Sequence, residues 1–160
     1  MSARDRAAEV LKRLPDGPVT GAEVGVFKGR MSAHLLLRPG LKLYMVDNWK
    51  PFHLYSSEDQ EYNYLRCLAV GGIVVRAESV IAASFFPDES LDFVFIDADH
   101  SYEGVKSDVT AWLPKVRNGG LLGGHDYAND NDPCGQEVKR AVDEFGFNLD
   151  LGEDHTWFRA

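Results

Sequence analysis

Phe93-Val94-Phe95-Ile96-Asp97-Ala98-Asp99-His100-Ser101-Tyr102 is the stretch on which the fold turns. Four apolar residues in unbroken succession predict a strand buried on both faces, as expected of a central parallel strand covered by helices. The run then gives way abruptly to carboxylates and an imidazole. In open α/β sheets, ligands gather just beyond the carboxyl ends of such strands. Asp97, Asp99 and His100 therefore stand at an expected active-site rim.

Outward from this strand, apolar runs alternate with amphipathic stretches, the pattern of α/β architecture. A leading helix is expected over Ala7 to Leu14, closed by Pro15-Asp16-Gly17-Pro18. Val19 to Val26 reads as the first strand, Arg30 to Leu37 as a helix, and Leu41 to Val46 as a second strand finishing at Asp47. Asn48 to Glu58 is aromatic-rich and irregular, with Trp49, Phe52, His53 and Tyr55 expected to roof a pocket or form an interface. Helical periodicity follows over Glu58 to Val70, then a strand over Ile73 to Arg76 and a short helix over Val80 to Phe86. After Leu91 to Ile96 come a helix over Tyr102 to Leu113, a glycine-rich strand over Gly119 to Gly124 and a helix over Glu137 to Phe145. Phe147 to Leu151 and Thr156 to Phe158 suit a closing hairpin. No repeat or linker interrupts the pattern, so residues 1–160 read as a single domain.

Composition narrows the class. The chain has 160 residues, 44% of them hydrophobic and 26% charged, with a formal net charge of −8. Such a balance fits an ordinary globular domain. The acidic excess argues against a broad nucleic-acid footprint, because phosphate binding wants a basic face. Cys67 and Cys134 lack the partner spacing of a zinc site or a disulfide framework. No apolar run reaches membrane-spanning length and the N-terminus is charged, so the expectation is a cytoplasmic protein without a membrane partner.

Glu23-Val24-Gly25-Val26-Phe27-Lys28-Gly29 lies where the first strand passes into its helix. Glycines there allow a tight turn and close approach of a ligand to the main chain. The helix N-terminus beyond offers free N–H groups. Asp47, ending the next strand, can accept hydrogen bonds from both hydroxyls of a ribose. A dinucleotide site would ask for G-x-G-x-x-G. Here the middle glycine is missing and an acid precedes the turn, which makes a nicotinamide dehydrogenase the weakest candidate. The arrangement resembles motif one of the class I S-adenosylmethionine-dependent methyltransferases.

The resemblance extends through Ile96-Asp97-Ala98-Asp99-His100-Ser101-Tyr102-Glu103-Gly104-Val105, through Gly119-Gly120-Leu121-Leu122-Gly123-Gly124-His125-Asp126-Tyr127, and through Glu137 to Phe145. It implies a Rossmann-like sandwich: a mainly parallel seven-stranded sheet with an antiparallel last strand and helices on both faces. It implies S-adenosylmethionine as cofactor, held by Glu23, Gly25, Phe27, Gly29, Asp47, Asn48, Ala77, Glu78, Ser79 and Asp97. The small-molecule branch it resembles implies a sugar or natural-product acceptor methylated on oxygen.

Asp97 and Asp126 end adjacent predicted strands, and paired carboxylates are the oxygen-rich setting that Mg²⁺ or another divalent cation prefers. The related catechol-type O-methyltransferases hold such an ion with matching aspartates, completed by a further Asp or Asn. Tyr127 stands at that last position here. Asp99, His125 or the Asn129-to-Asp132 loop could complete a site instead. His100 and His125 are the candidate bases, because imidazole takes a proton near neutrality. Their plainer alternatives are a helix-capping role for His100 and a structural hydrogen bond for His125. Two other functions compete: a non-catalytic cofactor-binding partner subunit, and a metal-dependent hydrolase on the acidic rim. The chain is short for enclosing a substrate alone, and a homo-oligomer could supply the cover.

Overall fold

Alternation along the strands sends one set of side chains to each face of a sheet, and both sets here are apolar. Phe93 and Phe95 point one way, while Val94 and Ile96 point the other; all four are buried. A computed structural model describing residues 2–160 shows what covers each face. The strands are β1 (Val19–Val24), β2 (Leu41–Asp47), β3 (Ile73–Arg76), β4 (Leu91–Ile96), β5 (Val116–Gly124), β6 (Leu149–Leu151) and β7 (Trp157–Arg159). They form one seven-stranded sheet in the order β3-β2-β1-β4-β5-β7-β6. The first five run parallel, and β7 pairs antiparallel with both β5 and β6. The Rossmann-like sandwich expected from the sequence is the fold observed.

The helices are α1 (Ala3–Leu11), α2 (Arg30–Leu35), α3 (Ser57–Leu68), α4 (Ser79–Ala83), α5 (Tyr102–Trp112) and α6 (Gly135–Asp143). One face of the sheet packs Val24, Val94, Ile96 and Leu122 against Ala82 of α4, Val109 and Trp112 of α5, and Val142 of α6. The other packs Leu43, Met45, Phe93 and Phe95 against Val10 of α1, Leu35 of α2 and Cys67 of α3. The order turns back between β1 and β4, so the crevice between their carboxyl ends is the switch point where ligands bind in such sheets.

Local chemistry sets the boundaries. α1 begins at Ala3, earlier than the expected Ala7, because the Asp5 carboxylate accepts the Ser2 N–H at 2.8 Å and starts the helix there. β1 stops at Val24 rather than Val26, since Gly25 (φ 91°) and Phe27 (φ 52°) turn the chain out of the sheet. β5 starts at Val116, ahead of the expected Gly119, because Val116 pairs with Leu91 before a register shift. Ser101 caps α5 by accepting the Gly104 N–H at 3.1 Å. No helix among the described residues is long and apolar enough to cross a membrane.

Candidate functional site

The turn after β1 is built by close packing against β4. Gly25 has φ 91°, and a Cβ there would fall 2.0 Å from the Asp97 carbonyl oxygen. Only glycine fits, so the turn is pressed against the acidic rim. Gly29, also left-handed at φ 68°, opens α2. Phe27 is held between them by its N–H, which donates to Asp47 Oδ2 at 2.7 Å. The other Asp47 oxygen accepts the Trp49 N–H, also at 2.7 Å. Asp47 thus joins the loops after β1 and β2. Each carboxylate oxygen retains a second lone pair for a ligand hydroxyl.

Asn48 and Glu78 meet beside this acid, Asn48 Nδ2 donating to Glu78 Oε2 at 3.1 Å. Lys50 pairs with the same carboxylate. Those partners hold the Glu78 carboxyl below its ordinary range. Ala77 N–H donates to the Asp47 carbonyl at 3.0 Å, placing Ala77, Glu78 and Ser79 next to the β2 exit. The Ser79 hydroxyl accepts Trp112 Nε1–H at 2.9 Å, which ties this loop to α5. Nearby Asp108 is buried, and desolvation pushes its carboxyl up to about 6.

Glu23 sits differently from the other candidates. It is 2% exposed, under α2, with Ser32 Oγ–H donating to Oε2 at 2.6 Å. Burial pushes its carboxyl up to about 8, so it is an uncharged acid near neutrality. Trp49 also departs from expectation. Instead of roofing a pocket it is 2% exposed, its indole N–H donating to the Phe27 carbonyl and its ring edge-on to Tyr64. Phe52 and Tyr55 pack edge-on against Phe27.

Asp97, His100, His125 and Asp126 converge at the carboxyl ends of β4 and β5. His100 Nε2 lies 3.2 Å from Asp97 Oδ1 and 3.3 Å from Asp126 Oδ2, and its Nδ1 lies 3.0 Å from Asp132 Oδ2. Burial alone would lower the His100 pKa. The hydrogen bond and charge of Asp97, with the charge of Asp126 and the hydrogen bond of Asp132, outweigh it and raise the group to about 9. Asp126 also meets a burial penalty, outweighed by His125, Asn129 and His100, and falls to about 2. Its backbone is strained at φ 58°, a non-glycine left-handed conformation of the kind that collects at functional sites.

His125 Nδ1 lies 2.7 Å from Asp126 Oδ2. An ionised carboxylate only accepts, so the shared proton belongs on Nδ1. Nε2, on the other side of the ring, is buried and without a hydrogen-bond partner. Asp99 takes no part: it is exposed, and its carboxylate accepts the Ser101 N–H ahead of α5.

Two residues at this rim carried no signal in the reading of the sequence. Arg6 reaches in from α1, Nη1 lying 3.1 Å from Asp97 Oδ2 and 3.2 Å from His125 Nδ1. Asp154, before β7, lies 3.6 Å from His125 Nε2 and 3.7 Å from Arg6 Nε. The one clue to Arg6 is helical spacing, which puts it on the same stripe as buried Val10. Surface clefts of about 360 and 690 Å³ lie at the opposite, amino edge of the sheet. None of the candidate site residues lines either cleft.

Comparison with known proteins bears on the fold and on the class. A family model described as a methyltransferase domain matches residues 22–127, from β1 through the turn after β5. No curated protein matches the sequence. Among solved structures, a protein from Corynebacterium glutamicum superimposes with a TM-score of 0.70 at 17% identity, over 97% of this chain and 77% of that one. An O-methyltransferase from Bacillus cereus, solved with SAH, gives 0.61 at 18% identity over 98% and 78%. A TDP-rhamnose 3′-O-methyltransferase of calicheamicin biosynthesis gives 0.65 at 14% identity over 96% and 77%. At such identities the likeness speaks for the fold, and the family match speaks for the class: the chain belongs to the S-adenosylmethionine-dependent methyltransferase domain family.

Proposed function

We propose that this protein, acting as one domain over residues 1–160, methylates an oxygen of a small sugar-type or natural-product acceptor. The observation that carries the reading is the abutment of two sites. The glycine turn after β1 touches the Asp97 backbone, so a cofactor on that turn faces the His100–Asp126 rim. The donor set fits a nucleoside cofactor: Asp47 with spare lone pairs for ribose hydroxyls, and Ala77, Glu78 and Ser79 beside it for the base. Gly25, Phe27 and Gly29 line the turn, with Asn48 bracing Glu78. Glu23 shapes the turn from beneath through Ser32.

Bound S-adenosylmethionine supplies an electrophilic methyl group on a good leaving group. The chain's own task is to orient the acceptor and take its proton. His125 is the favoured base, its ring oriented at Nδ1 by the Asp126 carboxylate as in the Asp–His pair of a catalytic triad. His100, held as an imidazolium between Asp97, Asp126 and Asp132, orients the carboxylates of the rim. Exposed Leu54, Tyr62 and Leu65 offer apolar surface through which a second copy could add cover.

Calorimetry with S-adenosylhomocysteine, followed by an acceptor screen for methyl transfer, tests this reading. Binding together with turnover on a hydroxylated acceptor supports it. Tight binding with no turnover on any acceptor class would favour the partner-subunit reading. Hydrolysis that survives Asp47→Ala, with no cofactor binding, would favour the hydrolase.

A further inference from the structure

The resemblance reserves a divalent cation for Asp97 and Asp126, and the donor atoms of Asp97, His100 and Asp126 do lie within 4.8 Å of one another. The carboxylate oxygens, however, already face nitrogen donors. Asp97 Oδ2 accepts from Arg6 and Oδ1 faces His100. Asp126 Oδ2 accepts from His125, while Oδ1 accepts from Asn129 Nδ2. Tyr127, at the position of the missing third ligand, turns away and donates its hydroxyl to Asp143 at 2.7 Å. Arg6 and the His100 imidazolium set positive charge directly against these carboxylates, so the residues present do not fit a metal without displacing a cation already there.

We propose that Arg6 is the resident cation of this rim, occupying the charge position of a divalent ion and closing Asp97 to metal. The guanidinium suits the role. It remains charged at every accessible pH, and its planar donors can serve two acceptors at once. Its reach is fixed by the helix that carries it. Ala7 and Val10 are buried against the sheet, and Arg13 continues the same stripe over the Phe158 ring at 4.0 Å. α1 is thereby held so that Arg6, in its first turns, overhangs the ends of β4 and β5. The side chain is only 24% exposed, so it is seated at the rim and not waving in solvent. Arg6 acts through Asp97, which makes it a positioning residue.

Manganese titration followed by electron paramagnetic resonance tests this, because free Mn²⁺ is read directly and no acceptor is needed. The wild type should show no saturable site, with or without prior EDTA treatment. Arg6→Gln should tighten Mn²⁺ binding roughly tenfold or more, and Arg6→Gln/Asp97→Asn should lose that gain. Arg6→Lys, which keeps the charge, should stay closed. Saturable wild-type binding that Asp97→Asn abolishes would overturn the proposal, and so would a folded Arg6→Gln protein that gains no site. Were Arg6→Gln not to fold, Arg6→Met, which keeps the aliphatic stem and removes the charge, would take its place with the same expected gain of a site. S-adenosylhomocysteine calorimetry run in parallel keeps the outcomes apart: its failure counts against the methyltransferase site and leaves the manganese comparison standing.

Discussion

Single residues at the rim differ in whether they hold the fold or serve the ligand. Asp47 holds the fold, since its two oxygens fix the Phe27 and Trp49 backbones, and in the proposed function it also serves the ligand. Asp47→Ala should therefore weaken S-adenosylhomocysteine binding by roughly tenfold or more, a loss of about 1.4 kcal/mol, and lower the melting temperature as well. Calorimetry and thermal unfolding would read the two effects separately. Glu23 presents the opposite case. Its folded pKa is raised from 4.5 to about 8, so its contribution is fully present below pH 4.5 and fades as pH rises through 8. Glu23→Gln keeps an acceptor for Ser32 without that liability. The variant should gain on the wild type by on the order of 2 kcal/mol between pH 5 and pH 8, measured by urea unfolding. The acid was visible in the sequence as a motif residue; its neutrality was not, because that depends on α2 lying over it.

At the scale of elements, the reading of strands and helices was accurate where periodicity was strong. β3 and β4 fall on the expected residues, and α5 runs from the expected Tyr102. The ends of β1 and β5 were misjudged, since backbone turns and register are settled by neighbouring strands. The glycines of β5 show why. A Cβ on Gly123 would meet the Phe158 ring at 2.3 Å, and one on Gly124 would meet the Trp157 indole at 2.7 Å. The closing hairpin therefore lays its aromatic rings on backbone that carries no side chain. Gly124→Ala should destabilise the protein by about 2 kcal/mol through overpacking, seen as a lower unfolding midpoint. Ser101→Ala, removing the α5 cap, should cost about 1 kcal/mol by the same measurement.

For the whole molecule, the rim is an electrostatic seam joining α1, the exits of β4 and β5, and the approach to β7. His100 is raised from 6.5 to about 9, so its contribution is complete below pH 6.5 and is lost as pH rises through 9. Asp126 is lowered from 3.8 to about 2, so its contribution holds above pH 3.8 and is lost as pH falls through 2. The stability advantage of the wild type over His100→Asn should accordingly shrink by on the order of 2 kcal/mol between pH 6.5 and pH 9, followed by chemical unfolding across that range. The sequence by itself determined the alternating α/β plan, the buried central strand, the glycine turn and the acids at strand ends, because strand and helix periodicities and turn residues act over short spans of chain. Tertiary structure alone decided which charges meet. Arg6 lies 91 residues from Asp97 along the chain, and only the packing of α1 across the sheet brings its guanidinium to that carboxylate.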